Sequence, residues 1–161
     1  MPQRNAAVRC SDIGTSGQFH RNLSWQPHKF IFWNGEAEYD SFWDLLESDG
    51  NEFTSKAYAI KKKYADCFSS DFPEMMIETA SPAICINKFP GKDRTVYTVY
   101  NRGYRTYRGE ALRIPHKEGN VYYDVWGERA LDVKIECGYA VISLEVDAQS
   151  IGCFAVSSSK K

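Results

Sequence analysis

Between residues 74 and 156 apolar and polar positions alternate with a period of two. Leu131, Val133 and Ile135 fall on one side of an extended segment, and Asp132, Lys134 and Glu136 on the other. Ala140, Ile142, Leu144 and Val146 repeat the pattern against Val141, Ser143 and Glu145. The alternation predicts strands over 75–79, 83–88, 95–101, 111–114, 120–125, 130–136, 139–146 and 151–156, each with one face buried and one solvated. Turn signals separate them: Pro90-Gly91-Lys92-Asp93, Arg102-Gly103, Glu118-Gly119-Asn120, Gly127 and Gly138. About eight short strands so punctuated predict a mainly β chain folded as an antiparallel β-sandwich. This carboxyl half is expected to be the only part able to close its own core.

Upstream the period changes. Phe53, Ala57, Ile60, Tyr64 and Cys67 recur at steps of four, three, four and three, one apolar stripe that predicts an amphipathic helix over about 51–68. Lys61, Lys62 and Lys63 cover its wet face near the C-terminus, where positive charge suits the helix dipole. Residues 36–49 are acidic with interspersed aromatics and predict a short helix opened by Asp40 or Ser41. Before it, Lys29-Phe30-Ile31-Phe32-Trp33 is a continuous apolar run closed by Asn34-Gly35, which predicts a strand buried on both faces. A strand of that kind belongs in a parallel sheet, and nothing else in the chain supplies its neighbours. Residues 1–28 lack apolar period and are expected to be disordered or irregular. The expected organisation is thus 1–28 as an irregular lead, 29–72 as strand and helix, 73–157 as the sandwich and 158–161 as a tail.

Length and charge narrow the function. With 161 residues, the chain has room for one domain and a short appendage, not for a complete eight-stranded α/β barrel of about 250 residues. Twenty basic against 21 acidic residues leave a net charge of −1, which disfavours nucleic acid as a partner. There is no apolar run of about 20 residues, so no membrane span is expected. The first 23 residues have no apolar core of the kind that drives secretion, so localisation stays open, cytoplasmic if Met1 is the genuine start. The five cysteines form no Cys-x-x-Cys pair, and His20, His28 and His116 are isolated from one another. No metal site and no cofactor are expected. Cys85, Cys137 and Cys153 lie in or beside apolar runs and are expected to pack as small hydrophobes.

An ordered series of segments points to a family. It comprises Phe32-Trp33-Asn34-Gly35, Trp43, Cys67-Phe68-Ser69-Ser70, Val96-Tyr97-Thr98-Val99-Tyr100-Asn101-Arg102, Tyr122-Tyr123-Asp124-Val125-Trp126-Gly127 and Ile151-Gly152-Cys153-Phe154-Ala155. Together they resemble the carboxyl-terminal end of bacterial glycoside-hydrolase-like proteins built as a TIM barrel followed by an antiparallel β-sandwich. The resemblance covers roughly residues 30–156. It implies that the 29–33 strand and the following helices are left over from a (β/α)8 barrel and that the barrel carboxylates of the hydrolase are not in this chain. The chain by itself would be a non-catalytic accessory sandwich, its partner the catalytic barrel of a parent or neighbouring protein. An apolar patch around Phe30, Phe32 and the helix stripe is then expected to be exposed, where barrel neighbours would sit.

Candidate chemistry has to be set beside plainer structural roles. Glycoside hydrolysis needs two opposed carboxyl groups. Glu36, Glu38, Asp40 and Asp44 are the densest acids, but acids at a helix start also favour its dipole, and no catalytic residue is assigned. Trp33 and Asn34 suit sugar contact in a full-length relative, an indole stacking on a C–H face while an amide bonds hydroxyls. The same two residues equally suit a buried strand end and its turn. Tyr104 and Tyr107 flank Arg105 and would form a carbohydrate-binding platform, or would staple the loop to the sheet edge. If they bind sugar, the chain is a free-standing carbohydrate-binding module with a glycan as partner. Trp126 is expected as a core anchor, and Asp124 as an acceptor from a turn or from Arg102.

Overall fold

The computed structural model describes residues 25–36 and 50–158. Two antiparallel sheets form a sandwich. The elements in chain order are α1 (Trp25–Trp33), α2 (Gly50–Lys63), α3 (Ala65–Phe68), β1 (Ile84–Pro90), β2 (Arg94–Asn101), β3 (Tyr107–Pro115), β4 (Asn120–Asp124), β5 (Arg129–Ala130), β6 (Lys134–Glu136), β7 (Tyr139–Val146) and β8 (Ile151–Ser158). The five-stranded sheet runs β1-β2-β8-β4-β5 and the three-stranded sheet β3-β7-β6. β3 begins four residues before its expected start at 111, and two other expected segments are not single strands. Residues 75–79 form no strand: the bridge to Lys88 comes from Glu74, and beyond it Met76 takes a positive φ of 54° that breaks the extension. The 130–136 segment splits into β5 and β6, which belong to different sheets, so its regular alternation spans a crossover. Leu131 and Val133 pack inward, while Ile135 is exposed.

The expectation of one wet face per strand holds for much of β7 and fails for β1, β2 and β8. In β7, Ala140 and Ile142 are fully buried while Ser143 and Glu145 face water. In β1, β2 and β8 of the five-stranded sheet both parities are buried. Ile84, Ile86, Tyr97, Val99 and Phe154 fill the space between the sheets. Cys85, Phe89, Val96, Tyr100, Cys153 and Ala155 face the opposite way, into a second core closed by the helices. The predicted stripe of α2 and α3 supplies the cover: Ala57, Ile60, Tyr64 and Cys67 are all buried, with Phe53 packed at the edge. The helix expected over 51–68 is interrupted once, at Tyr64, and the stripe continues through the α3 turn.

The segment 29–33 is helical, which corrects the buried strand expected there. A run of five apolar residues has no period of its own, and tertiary contact decides its conformation. Pro27 sits in the first turn of α1, where its missing N–H costs nothing. Asn34-Gly35 does stop the element, as a helix cap. Gly35 takes φ +72°, its N–H reaches the Phe32 carbonyl at 3.0 Å, and the Glu36 N–H reaches the Ile31 carbonyl at 3.0 Å, a Schellman cap. The Asn34 N–H takes the Phe30 carbonyl at 2.8 Å. The last carbonyl, of Trp33, accepts from Asn87 Nδ2 at 3.0 Å and Thr98 Oγ1 at 2.5 Å, two side chains of the sheet with no exposure. The carbonyls of Phe30, Ile31, Phe32 and Trp33 are therefore all satisfied.

The exposed apolar patch expected around Phe30, Phe32 and the helix stripe is absent among the described residues. Phe32 is 1% exposed, its ring 5.2 Å from Trp126 and 6.1 Å from Phe68. Trp126 anchors the helices as expected, lying 5.3 Å from Phe53 with Lys56 Nζ over its face. Asp124 accepts from the Gly127 N–H at 2.7 Å and from Arg129 Nε at 3.2 Å, the expected turn, with Arg129 in place of Arg102. A Cβ on Gly127 would lie 2.3 Å from Asp124 Oδ2, so this turn has no room for a larger residue. Arg94 clasps the helical layer to β2: it donates to the Lys63 carbonyl at 2.8 Å and to Asp66 Oδ1 at 2.5 Å, its guanidinium over the Tyr64 ring. Among the cysteines, Cys67, Cys85 and Cys153 are buried, and burial pushes the Cys67 thiol up to about 11. Cys137 departs from expectation. It is exposed at φ +50° in the two-residue turn with Gly138 that joins β6 to β7, where a side chain points away from the core.

Two outcomes follow from this layering. Phe32→Ala is expected to cost about 3–5 kcal/mol of stability in urea unfolding; a change within about 0.5 kcal/mol would mean that the residue faces solvent. The Arg94 hydrogen bond holds the Asp66 carboxyl below the ordinary carboxylate range. A depressed carboxyl contributes stability that is complete above its unfolded value, about 3.9, and lost as pH falls through the folded value. The pair is partly exposed, so Asp66→Asn should cost at most about 1 kcal/mol near neutrality, and the difference should vanish in acid. A difference that widens on acidification would contradict the pairing.

Candidate functional site

The four residues singled out for sugar contact fall into two groups in the fold. Trp33 and Asn34 end α1 over the outer face of the five-stranded sheet, and both are half-buried. The Trp33 indole donates to the Cys85 carbonyl at 3.3 Å, so its polar edge is used within the protein. Asn34 lies in the helix cap. Tyr104 and Tyr107 come from the β2–β3 connection, where the chain leaves one sheet for the other. Tyr107 is half-buried against the core between the sheets, and its hydroxyl donates to the Glu110 carbonyl. Tyr104 is 90% exposed.

Tyr100 links the two groups. Its ring lies 5.9 Å from Trp33 and 4.9 Å from Phe30, and its hydroxyl donates to Gln149 Oε1 at 2.9 Å. Burial raises the Tyr100 phenol above its ordinary value, with the Cys85 thiol and the Tyr104 phenol adding to the effect. Gln149, at φ +52° in the β7–β8 turn, donates from Nε2 to the Arg102 carbonyl at 2.5 Å and accepts from Lys29 Nζ through its own carbonyl at 2.9 Å. Burial lowers the Lys29 ammonium. The end of α1, the end of β2 and the β7–β8 turn are thus tied together at one rim of the sandwich.

Asn101 is the second anchor of this rim. It has no exposure, and Nδ2 lies within bonding distance of the Arg105, Val146 and Asp147 carbonyls at 2.8, 2.9 and 3.0 Å. Its Oδ1 accepts the Gly103 N–H at 2.9 Å. One signal in the sequence could have found it: Asn101 stands at the parity of Tyr97 and Val99, so a polar side chain enters an apolar face and must be bonded there. Gln149 has no comparable signal, because a positive φ at a glutamine is invisible in the sequence.

Of the acids considered for hydrolysis, Glu38, Asp40 and Asp44 lie outside the described residues, as does the helix expected over 36–49. Glu36 is exposed, and its carbonyl accepts from Lys61 Nζ. Among the described residues no group of three or more His, Cys, Asp or Glu could hold a metal ion. His116 Nδ1 lies 2.8 Å from the Tyr122 hydroxyl. A shallow recess of about 170 Å³ opens between β4, β7 and β8, with Asp124, Arg129, Ser143 and Glu145 on its wall. Its charges are already matched: Asp124 to Arg129 at 3.2 Å and Glu145 to Arg108 at 2.8 Å.

No family model and no curated protein matches the sequence. Solved structures do resemble the fold. A Bacillus halodurans C-125 protein assigned as an α-N-acetylgalactosaminidase aligns with a TM-score of 0.55 at 10% identity, over 89% of this chain and 32% of its own. An Anoxybacillus α-amylase, described as a new glycosyl hydrolase subclass, aligns with a TM-score of 0.51 at 11% identity, over 71% of this chain and 24% of its own. This chain therefore spans 24% of the length of the amylase and 32% of that of the other enzyme, and the likeness is one of fold.

Proposed function

We propose that the chain is a non-catalytic accessory β-sandwich of a carbohydrate-active, glycoside-hydrolase-like protein and that it packs against a catalytic barrel. The observation that supports this reading is the recurrence of its fold as a minor portion of two glycoside hydrolase chains. The motif residues fit a structural role, since Asn101, Asp124, Trp126 and Gly127 hold turns and layers together. A second role, carbohydrate binding, is favoured at one position, because Tyr104 alone among the four candidates is largely exposed, whereas the indole N–H of Trp33 and the hydroxyl of Tyr107 bond within the protein.

The purified chain is expected to release no product above blank from aryl glycosides or from soluble polysaccharides. Turnover that disappears on changing Glu36→Gln and Asp44→Asn together would overturn the non-catalytic reading. A barrel-coding stretch is expected upstream of Met1 or in an adjacent gene. Its absence from both, established by sequencing the locus, would overturn the docking role.

A further inference from the structure

The β2–β3 loop combines a backbone held like that of a core strand with an apex side chain given over to water. The Arg102 N–H bonds the Ala83 carbonyl at 3.0 Å, and the Gly103 carbonyl accepts the Gln149 N–H at 3.1 Å. Asn101 fixes Gly103 and Arg105 from inside, Gln149 fixes the Arg102 carbonyl from the side, and Thr106 Oγ1 donates to Asp147 Oδ1 at 3.2 Å. The conformational entropy of these residues is lost on folding. Tyr104 nonetheless leaves 90% of itself in solvent. A ring presented this way loses only its side-chain rotamers on meeting a ligand, which is the condition that makes an aromatic contact efficient.

The charges around it are equally unusual for this molecule. Six arginines lie among the described residues. Arg94, Arg108, Arg113 and Arg129 each pair with a carboxylate. Arg102 and Arg105, the two that bracket Tyr104, are exposed and have no carboxylate within ion-pair distance among the described residues. Of the acids on β7 and the turn after it, Glu145 pairs with Arg108, and Asp147 accepts the Thr106 hydroxyl. Lys29 adds a further positive charge at the same rim, on the Gln149 carbonyl.

We infer that this loop is a preformed binding platform for an anionic pyranose, a sugar ring bearing a carboxylate, within a polysaccharide. The inference rests on the carbohydrate-binding role of Tyr104 and adds the ligand class. The tyrosine face stacks on the C–H face of the ring, and the guanidinium of Arg102 or Arg105 takes the carboxylate through charge-assisted hydrogen bonds. A neutral sugar would offer the guanidinium groups only hydroxyl acceptors, without the charge-assisted, bidentate pairing that a carboxylate supplies.

Affinity electrophoresis of the full chain tests this in gels containing polygalacturonate, its methyl ester or polyglutamate. Retardation by polygalacturonate is expected, weakened by added salt, with little by the ester or by polyglutamate. Tyr104→Ala and, separately, the Arg102→Gln/Arg105→Gln pair should each weaken it about tenfold. Their thermal unfolding should be unchanged, because all three side chains are exposed. Equal retardation by the ester would overturn the anionic preference and leave carbohydrate binding standing. Equal retardation by polyglutamate would reduce the effect to bare charge and overturn the platform. No retardation by either polysaccharide would overturn carbohydrate binding itself. The accessory role is read independently by glycoside turnover.

Discussion

A sheet whose central strands are apolar on both faces has to be covered twice, and that requirement organises the rest of this molecule. β1, β2 and β8 carry buried side chains at successive positions, so the three-stranded sheet can satisfy only one side of them. Left bare, the other side would be a continuous hydrophobic surface of the sort that soluble monomers rarely expose. The helices remove it from water. Phe32, Ile60, Tyr64 and Cys67 meet Cys85, Phe89, Val96 and Cys153 in a second core, with the five-stranded sheet as the layer common to both.

Apolar contact alone would let the helical layer slide. Three buried polar side chains, Asn87, Thr98 and Asn101, add direction. The first two fix the terminal carbonyl of α1, and the Asn87 Oδ1 also accepts the Met76 N–H at 2.8 Å, placing the segment that runs along the edge of β1. A buried amide is costly unless bonded, so each of these residues admits few arrangements of its neighbours. The same logic, exercised by Asn101 at the end of β2, sets the loop that presents Tyr104. Packing and presentation are therefore coupled through one strand.

Much of the carboxyl half was legible because alternation is a local signal. The bounds of β7 match expectation, and β1, β2, β4 and β8 differ by a residue or two at their ends. The stripe from Phe53 to Cys67 was equally readable, since its period is the helix period. What misled was the short run at 29–33. Without polar positions to mark a face, five apolar residues suit a buried strand as well as a buried helix turn. The candidate site was legible only in part. Tyr104 stood out as an aromatic in a polar loop, but nothing local distinguished it from nearby Tyr107, whose hydroxyl is used within the protein.

The sequence by itself determined the strand-rich half, the amphipathic helix, the stopping points at Asn34-Gly35 and Gly127, and the near-neutral net charge. Each of these is written in a few consecutive residues or in a simple total: a period, a glycine at a turn, or a sum of charges. Only the tertiary structure decided that the second parity of β1, β2 and β8 is sealed by helices, that 29–33 belongs to one of them, and that, among the described residues, Arg102 and Arg105 stay unpaired with a carboxylate while Arg94, Arg108, Arg113 and Arg129 pair. Those outcomes depend on which distant residues arrive at a given face or charge, and chain proximity does not encode that.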